Sequence, residues 1–176
     1  TNAVRAVQEF GDPYDHSHTV GQVSYASAQH VEQALGVATD AFPQWSNTPV
    51  SERAAALERL ADLLEANYGE LMALCHREAG KTLQDGIDEV REAVDFCRYY
   101  AQQARQEMSQ PTQLPGPTGE SNEHYYAGRG TFLCISPWNF PLAIFLGQVS
   151  AALVAGNCVL AKPAEQTSLV AGRTVE

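Results

Sequence analysis

The stretch from Gly130 to Ser168, GTFLCISPWNFPLAIFLGQVSAALVAGNCVLAKPAEQTS, decides the fold. It opens on the apolar run Gly130 to Ser136, which reads as a strand buried on both faces. Pro141 to Ala155 reads as a helix ended by Gly156, Cys158 to Ala161 as a second buried strand, and Ser168 as the cap of a further helix. Strand, helix, strand, helix in that order specifies a parallel β-α-β unit. Both strand C-termini then open on one sheet edge, where ligands of open α/β sheets bind. Two segments lie at that edge: Ile135-Ser-Pro-Trp-Asn-Phe-Pro-Leu142 and Lys162-Pro-Ala-Glu-Gln-Thr-Ser168.

Upstream the pattern is helical. One short strand is expected in the alternating stretch Thr19 to Tyr25. Ser27 then caps a helix with Val31, Ala34, Leu35, Ala38, Ala41, Phe42 and Trp45 at spacings of three and four, and Pro43 should bend its end. A second helix from Pro49 and Ser51 presents Ala54, Leu57, Leu60, Ala61 and Leu64, with Arg53, Glu58, Arg59, Asp62 and Glu65 mostly off that face as solvated charge. A third, Tyr68 to Glu78, stops at Gly80. A fourth starts at Thr82 and carries Ile87, Val90, Val94, Cys97, Tyr100, Ala101 and Ala104 on one side. The prolines and glycines of Ser109 to Glu123 predict a loop. The organisation expected is a strand and helical layer over residues 1–108, a loop or ribbon over 109–127, and an incomplete α/β domain over 128–176, because the chain stops soon after a helix start.

Composition narrows the function. With 11 Lys and Arg against 21 Asp and Glu, the 176 residues carry a formal charge of −10, which argues against a nucleic-acid grip or an anionic-membrane grip. The uncharged run Thr131 to Ala161 is interrupted by Pro137, Asn139, Pro141, Gln148, Gly156 and Asn157, so no transmembrane segment is expected. The spacing of Cys75, Cys97, Cys134 and Cys158 matches no zinc site, and no metal is expected. Thr1 to Phe10 lacks the pattern of a signal peptide. A reducing cytoplasm with free thiols follows. Gly128-Arg-Gly130 precedes a strand instead of joining strand to helix, so it is no phosphate loop.

The Pro137-Trp-Asn-Phe-Pro141 stretch, followed by Ala155-Gly-Asn-Cys-Val-Leu-Ala-Lys-Pro-Ala-Glu165, resembles the aldehyde dehydrogenase superfamily. The resemblance runs back to Val23 and includes Glu78-Ala-Gly-Lys81. It implies an α/β fold: an N-terminal helical layer followed by the first β-α-β of a Rossmann-like NAD-binding domain, truncated. Within the superfamily, Glu89 to Ala101 together with Pro137 to Phe145 is most similar to the glutamate-semialdehyde dehydrogenase part of bifunctional proline-utilising enzymes. The activity implied is NAD-dependent oxidation of L-glutamate γ-semialdehyde to glutamate, through a thiohemiacetal on a Cys outside this chain. Another semialdehyde or betaine-aldehyde dehydrogenase, or a non-catalytic scaffold module, stays open. FAD is implied only if a proline dehydrogenase domain precedes the segment. The resemblance also implies a small aldehyde substrate and a homo-oligomer of the full enzyme.

The resemblance assigns roles by position. An Asn at Asn139 points its amide at the aldehyde oxygen; a preorganised N–H donor stabilises the alkoxide formed by thiolate attack, by roughly 3 kcal/mol in comparable oxyanion holes. The alternative is that Asn139 caps the helix after Pro141. Lys162 and Glu165 are implied to hold the adenosine ribose of NAD. A carboxylate accepts from vicinal hydroxyls and repels a 2′-phosphate, which favours NAD over NADP. Their alternative is a surface pair worth ~0–1 kcal/mol. Ile135, Ser136 and Trp138 are implied to line the cofactor, against ordinary core packing for Ile135 and Trp138. Phe140 is implied to wall the substrate chain, and Glu92 to lie near the aldehyde, against an ordinary solvated helix residue. The nucleophile and the deacylation base are expected from outside the chain. Cys134 and Cys158, on buried strands, match the family's nucleophile neither in place nor in chemistry.

Overall fold

The computed structural model describes residues 7–176; the first six residues of the expected strand and helical layer lie outside that range. Val7–Gly11 (β1) pairs antiparallel with Thr19–Ser24 (β2), Phe10 opposite Gly21. β2 is the expected strand; its partner β1 is an addition, because Val-Gln-Glu-Phe-Gly has too little alternation to stand out. The turn between them is built by side chains: Asp12 Oδ1 accepts the Tyr14 N–H at 2.8 Å, and Asp15 Oδ1 accepts the Ser17 N–H at 3.0 Å.

Four helices follow: Ala28–Asn47 (α1), Val50–Ala66 (α2), Tyr68–Ala79 (α3) and Leu83–Glu107 (α4). Their ends obey local chemistry. Ser27 and His30 exchange bonds at the start of α1, and Thr82 and Asp85 at the start of α4. Gly80, at φ 66°, closes α3 in the left-handed conformation that suits glycine. Pro43 does not end α1, which runs on for one more turn to Asn47. Leu57, Ala61 and Leu64 of α2 pack with Leu71 and Cys75 of α3 and with Val90, Val94, Cys97 and Ala101 of α4. The same core continues into Leu142, Phe145, Leu146, Val154 and Val170, so the helical layer and the α/β unit share one interior.

Arg53 corrects the expectation of solvated charge. It is buried, and its guanidinium donates to Val154 O at 2.9 Å, to Ser46 O at 3.3 Å and to Thr48 O. Proximity to the α2 start decides this: three carbonyls left over at helix ends converge there, and an arginine fork can serve all three. Glu58, Arg59, Asp62 and Glu65 do lie off the core face, Glu58 partly covered.

The expected loop holds a small antiparallel hairpin, Thr112–Leu114 (β3) with Asn122–His124 (β4), whose tip accommodates Pro115, Gly116, Pro117 and Gly119, with Pro111 just before β3. Thr131–Ile135 (β5) and Cys158–Lys162 (β6) then pair in parallel through Ala143–Val154 (α5), as the order of elements predicts. Burial on both faces is not what is found. Leu133 is 62% and Ile135 59% exposed, because among the described residues β5 and β6 form a sheet of two strands, with α5 against it and α1 flanking β6 across an open groove. After a 3-10 turn at Glu165–Thr167 comes Ser168–Val175 (α6). Ser168 does not cap it: the N–H groups of Leu169 and Val170 go to Glu78 of α3, at 2.6 and 2.8 Å. Among the described residues no helix is long and apolar enough to cross a membrane.

Candidate active site

Register places the two site segments side by side. Ile135 ends β5 opposite Lys162, which ends β6. Beyond that pair the Ser136 N–H donates to Lys162 O at 3.2 Å, extending the ladder by one bond, and Gln148 Nε2 of α5 donates to Ile135 O at 3.1 Å. The strand ends are thereby pinned to each other and to the helix between them. Of the residues expected to meet the cofactor, Ser136 is buried, whereas Ile135 and Trp138 are exposed at 59% and 56%. Ordinary core packing is therefore not their role among the described residues.

The loop from Ser136 to Leu142 carries Asn139 and Phe140, both exposed. Asn139 does not cap α5. Instead Glu89, from the middle of α4, places Oε2 3.1 Å from the Leu142 nitrogen and 2.9 Å from that of Ala143, accepting both N–H groups. Its Oε1 pairs with Lys81 Nζ at 3.1 Å, and that ammonium stands 4.4 Å above the centroid of the Phe140 ring. Glu92, one turn further along α4, is exposed, and among the described residues no hydrogen bond or ion pair holds it. Glu89, Lys81 and Gln148 carry no expected role in the sequence. Only Glu89 left a signal, an acidic residue at spacings of one and five from Val90 and Val94 on a helix whose neighbouring positions are apolar.

Lys162 and Glu165 are both exposed and face one cavity of about 700 Å³. It is walled by Val23 to Ala26 at the end of β2, by Pro163, and by Ala171 and Val175 of α6. No ion pair joins the two. An ammonium and a carboxylate on one rim, with apolar walls below, fit a ligand that offers hydroxyls at one end and a flat apolar ring at the other, which is the chemistry of an adenosine.

The four cysteines supply no nucleophile. All are buried and unpaired by disulfides. Burial, reinforced by the nearby Glu89, pushes the Cys75 thiol up to about 12, and burial pushes Cys97 up to about 11. Cys134, facing inward from β5, is raised for the same reason. A thiol held above neutral pH and out of solvent does not attack a carbonyl. Gly128 and Gly130 are likewise structural. Their segment is held by Asn157, whose Oδ1 accepts the N–H groups of Arg129 at 2.5 Å and Gly130 at 3.1 Å. Among the described residues no group of His, Cys, Asp or Glu is arranged to hold a metal ion.

Comparison with known proteins agrees with this geometry. The bifunctional protein PutA of Klebsiella aerogenes is 49% identical over 169 residues, covering 96% of this chain and 12% of PutA. 1-Pyrroline-5-carboxylate dehydrogenase 2 of Bacillus subtilis is 39% identical over 94% of this chain and 32% of its own length. The solved structure of 1-pyrroline-5-carboxylate dehydrogenase from Thermus with bound NAD superposes with a TM-score of 0.93 at 34% identity, over 97% of this chain and 33% of that one. The chain thus spans about one eighth of the PutA relative and about one third of the two dehydrogenases. The aldehyde dehydrogenase family model matches residues 3–176. With strand ends, cavity and relatives in agreement, the chain belongs to the aldehyde dehydrogenase family.

Proposed function

We propose that this chain is the N-terminal part of an NAD-dependent aldehyde dehydrogenase of proline catabolism, which oxidises L-glutamate γ-semialdehyde to glutamate. The observation that supports the reading is the register of the strand ends: Ile135 of β5, which leads into Asn139 and Phe140, pairs with Lys162 of β6, which leads into Glu165, in a chain 49% identical to PutA and 39% identical to a 1-pyrroline-5-carboxylate dehydrogenase.

Each residue then has a physical task. Asn139 donates its amide N–H to the aldehyde oxygen and stabilises the negative charge that develops there on nucleophilic attack. Phe140 offers a ring against the aliphatic chain of the substrate, and Glu92, exposed on α4, is the carboxylate assigned to the neighbourhood of the aldehyde. Lys162 and Glu165 hold the ribose hydroxyls of NAD, with Ile135, Ser136 and Trp138 along its path. NAD, when bound, supplies the hydride acceptor. The thiolate and the base that activates water come from a segment other than these 176 residues, in keeping with the burial of all four cysteines. In the whole protein this reading carries with it a homo-oligomer in the cytoplasm, and FAD only where a proline dehydrogenase domain accompanies it.

The test is an assay of the whole protein with NAD and a panel of semialdehydes and betaine aldehyde. L-Glutamate γ-semialdehyde should give the highest kcat/KM, and these 176 residues alone should give no turnover. Glu165→Gln should weaken NAD at least tenfold and narrow the preference over NADP, since a hydrogen bond to a charged group is worth ~1.5–3 kcal/mol. Preference for another aldehyde would move the assignment within the family. No turnover with any aldehyde would leave a scaffold module.

A further inference from the structure

Glu89 is 2% exposed and sits where a charge is costly. Two groups explain its presence. The N–H groups of Leu142 and Ala143 are the orphan donors at the start of α5, and both go to Glu89 Oε2. They follow Asn139 by three and four residues, so the backbone behind Asn139 is fixed from α4, 53 and 54 residues away in sequence. The other oxygen, Oε1, holds Lys81 Nζ at 3.1 Å, and Lys81 in turn lies over the Phe140 ring at 4.4 Å, a cation on the negative face of an aromatic. One buried carboxylate therefore controls the loop on both sides: the peptide planes after it and the ring inside it. Because Glu89 does the capping, the Asn139 amide is not engaged by the helix and points from a loop whose far end cannot shift.

We propose that Glu89 is a positioning residue for aldehyde oxidation, acting through Asn139 and, by way of Lys81, through Phe140. The inference rests on the catalytic reading of Asn139 given above. Its physical content is preorganisation: a donor that is displaced by a fraction of an ångström, or must be reoriented during the reaction, loses much of its advantage in stabilising a developing charge. Glu89→Gln keeps one carbonyl acceptor for the two N–H groups but removes the charge that fixes Lys81.

A double-substitution cycle in the whole protein tests this. kcat, KM for L-glutamate γ-semialdehyde, the Kd for NAD and the melting temperature are measured for the natural sequence, Asn139→Ala, Glu89→Gln and the two combined. Glu89→Gln should lower kcat by about tenfold when Asn139 is present, and by less than about twofold in the Asn139→Ala background, with the Kd for NAD unmoved. A merely structural glutamate would lower kcat by the same factor in both backgrounds, and that result overturns the proposal. If Glu89→Gln yields no folded protein, Lys81→Met enters the same cycle. It leaves the Leu142 and Ala143 bonds in place and should show a smaller fall, about threefold, again only when Asn139 is present; equal factors in both backgrounds overturn the proposal here too. If Asn139→Ala itself keeps the natural kcat, the catalytic reading of Asn139 falls, and the proposal falls with it. If Asn139→Ala is impaired but Glu89 acts independently of it, only the positioning role is lost.

Discussion

Glu78 of α3 accepts the Val170 N–H at 2.8 Å across 92 residues of sequence, with the Leu169 N–H on its other oxygen at 2.6 Å. Together with Glu89 on Leu142 and Ala143, this means that both helices of the α/β unit are capped by carboxylates of the helical layer. The sheet edge that bears the site is thus positioned by the layer beneath it.

Stability should carry the signature of Glu78. Burial outweighs its two N–H bonds and holds its carboxyl above the ordinary 4.5. A carboxyl raised on folding binds its proton more readily in the native chain than in the unfolded one. Its contribution is therefore fully present below the unfolded value and is lost as pH rises through the raised native value. Asp15, Glu65, Glu70 and Asp85, each held below the usual range first by a side-chain hydrogen bond, work in the opposite sense. They are common to the natural chain and to Glu78→Gln, so the difference in unfolding free energy between the two isolates Glu78. That difference should shift against the natural chain as pH is raised from about 4 to about 7. A shift in its favour would mean that Glu78 behaves as a depressed carboxylate.

Arg53 offers a test of the junction between α1, α2 and α5. Arg53→Met keeps much of the apolar stem and removes the donors to Val154 O, Ser46 O and Thr48 O, leaving three carbonyls near helix ends without a partner. Bonds to a charged donor are worth ~1.5–3 kcal/mol each, and water can reach part of the site, so a loss of about 3 kcal/mol is expected in urea unfolding. A loss under about 1 kcal/mol would place Arg53 with the exposed charges.

Much of this architecture was legible in the chain and some was not, for reasons that differ by residue. Ser27, Gly80 and Thr82 announced helix ends because capping is local chemistry, settled within four residues. The β5–α5–β6 order was legible because a parallel pair requires a crossover. Arg53, Glu78 and Glu89 were not, since each is an ordinary helix residue until a distant element brings it unsatisfied backbone groups, 91 residues away for Glu78, 53 for Glu89 and, for one of the three carbonyls that Arg53 meets, 101. The exposure of β5 escaped because an apolar run reports what a strand can bury, not which neighbours are present to bury it. Within the site, the roles of Asn139, Lys162 and Glu165 come from motif resemblance, because spacing alone favours a helix cap and a surface pair.

Gly128 separates a packing role from a phosphate-binding one. A Cβ built there would lie 2.9 Å from the Gly156 carbonyl carbon, closer still to its oxygen, and 3.1 Å from the Phe42 ring. The obstacle is backbone, and Gly156 cannot retreat easily because its φ of 85° and the adjacent Asn157 bonds fix the turn. Gly128→Ala should therefore cost about 1–3 kcal/mol of stability by overpacking. NAD affinity of the folded fraction should be unchanged. A selective loss of NAD binding with stability intact would reopen the phosphate-loop reading.

Asn139→Asp in the whole protein distinguishes a donor from a helix cap. Asp and Asn rank alike as caps, so a capping residue would tolerate the change, and here the orphan N–H groups of α5 already belong to Glu89. Stability should accordingly stay within about 0.5 kcal/mol, as for other exposed substitutions away from packed features. The chemistry should not tolerate it. A carboxylate offers no N–H to the developing alkoxide and adds repulsion, so kcat should fall at least ~100-fold while the melting temperature hardly moves. Lowering the pH protonates the new carboxyl and restores a donor, so part of kcat should return on the acid side, relative to the natural enzyme at the same pH. Retained kcat with a shifted melting temperature would show that the loop serves the helix and not the aldehyde, and the catalytic reading of Asn139 would have to be given up.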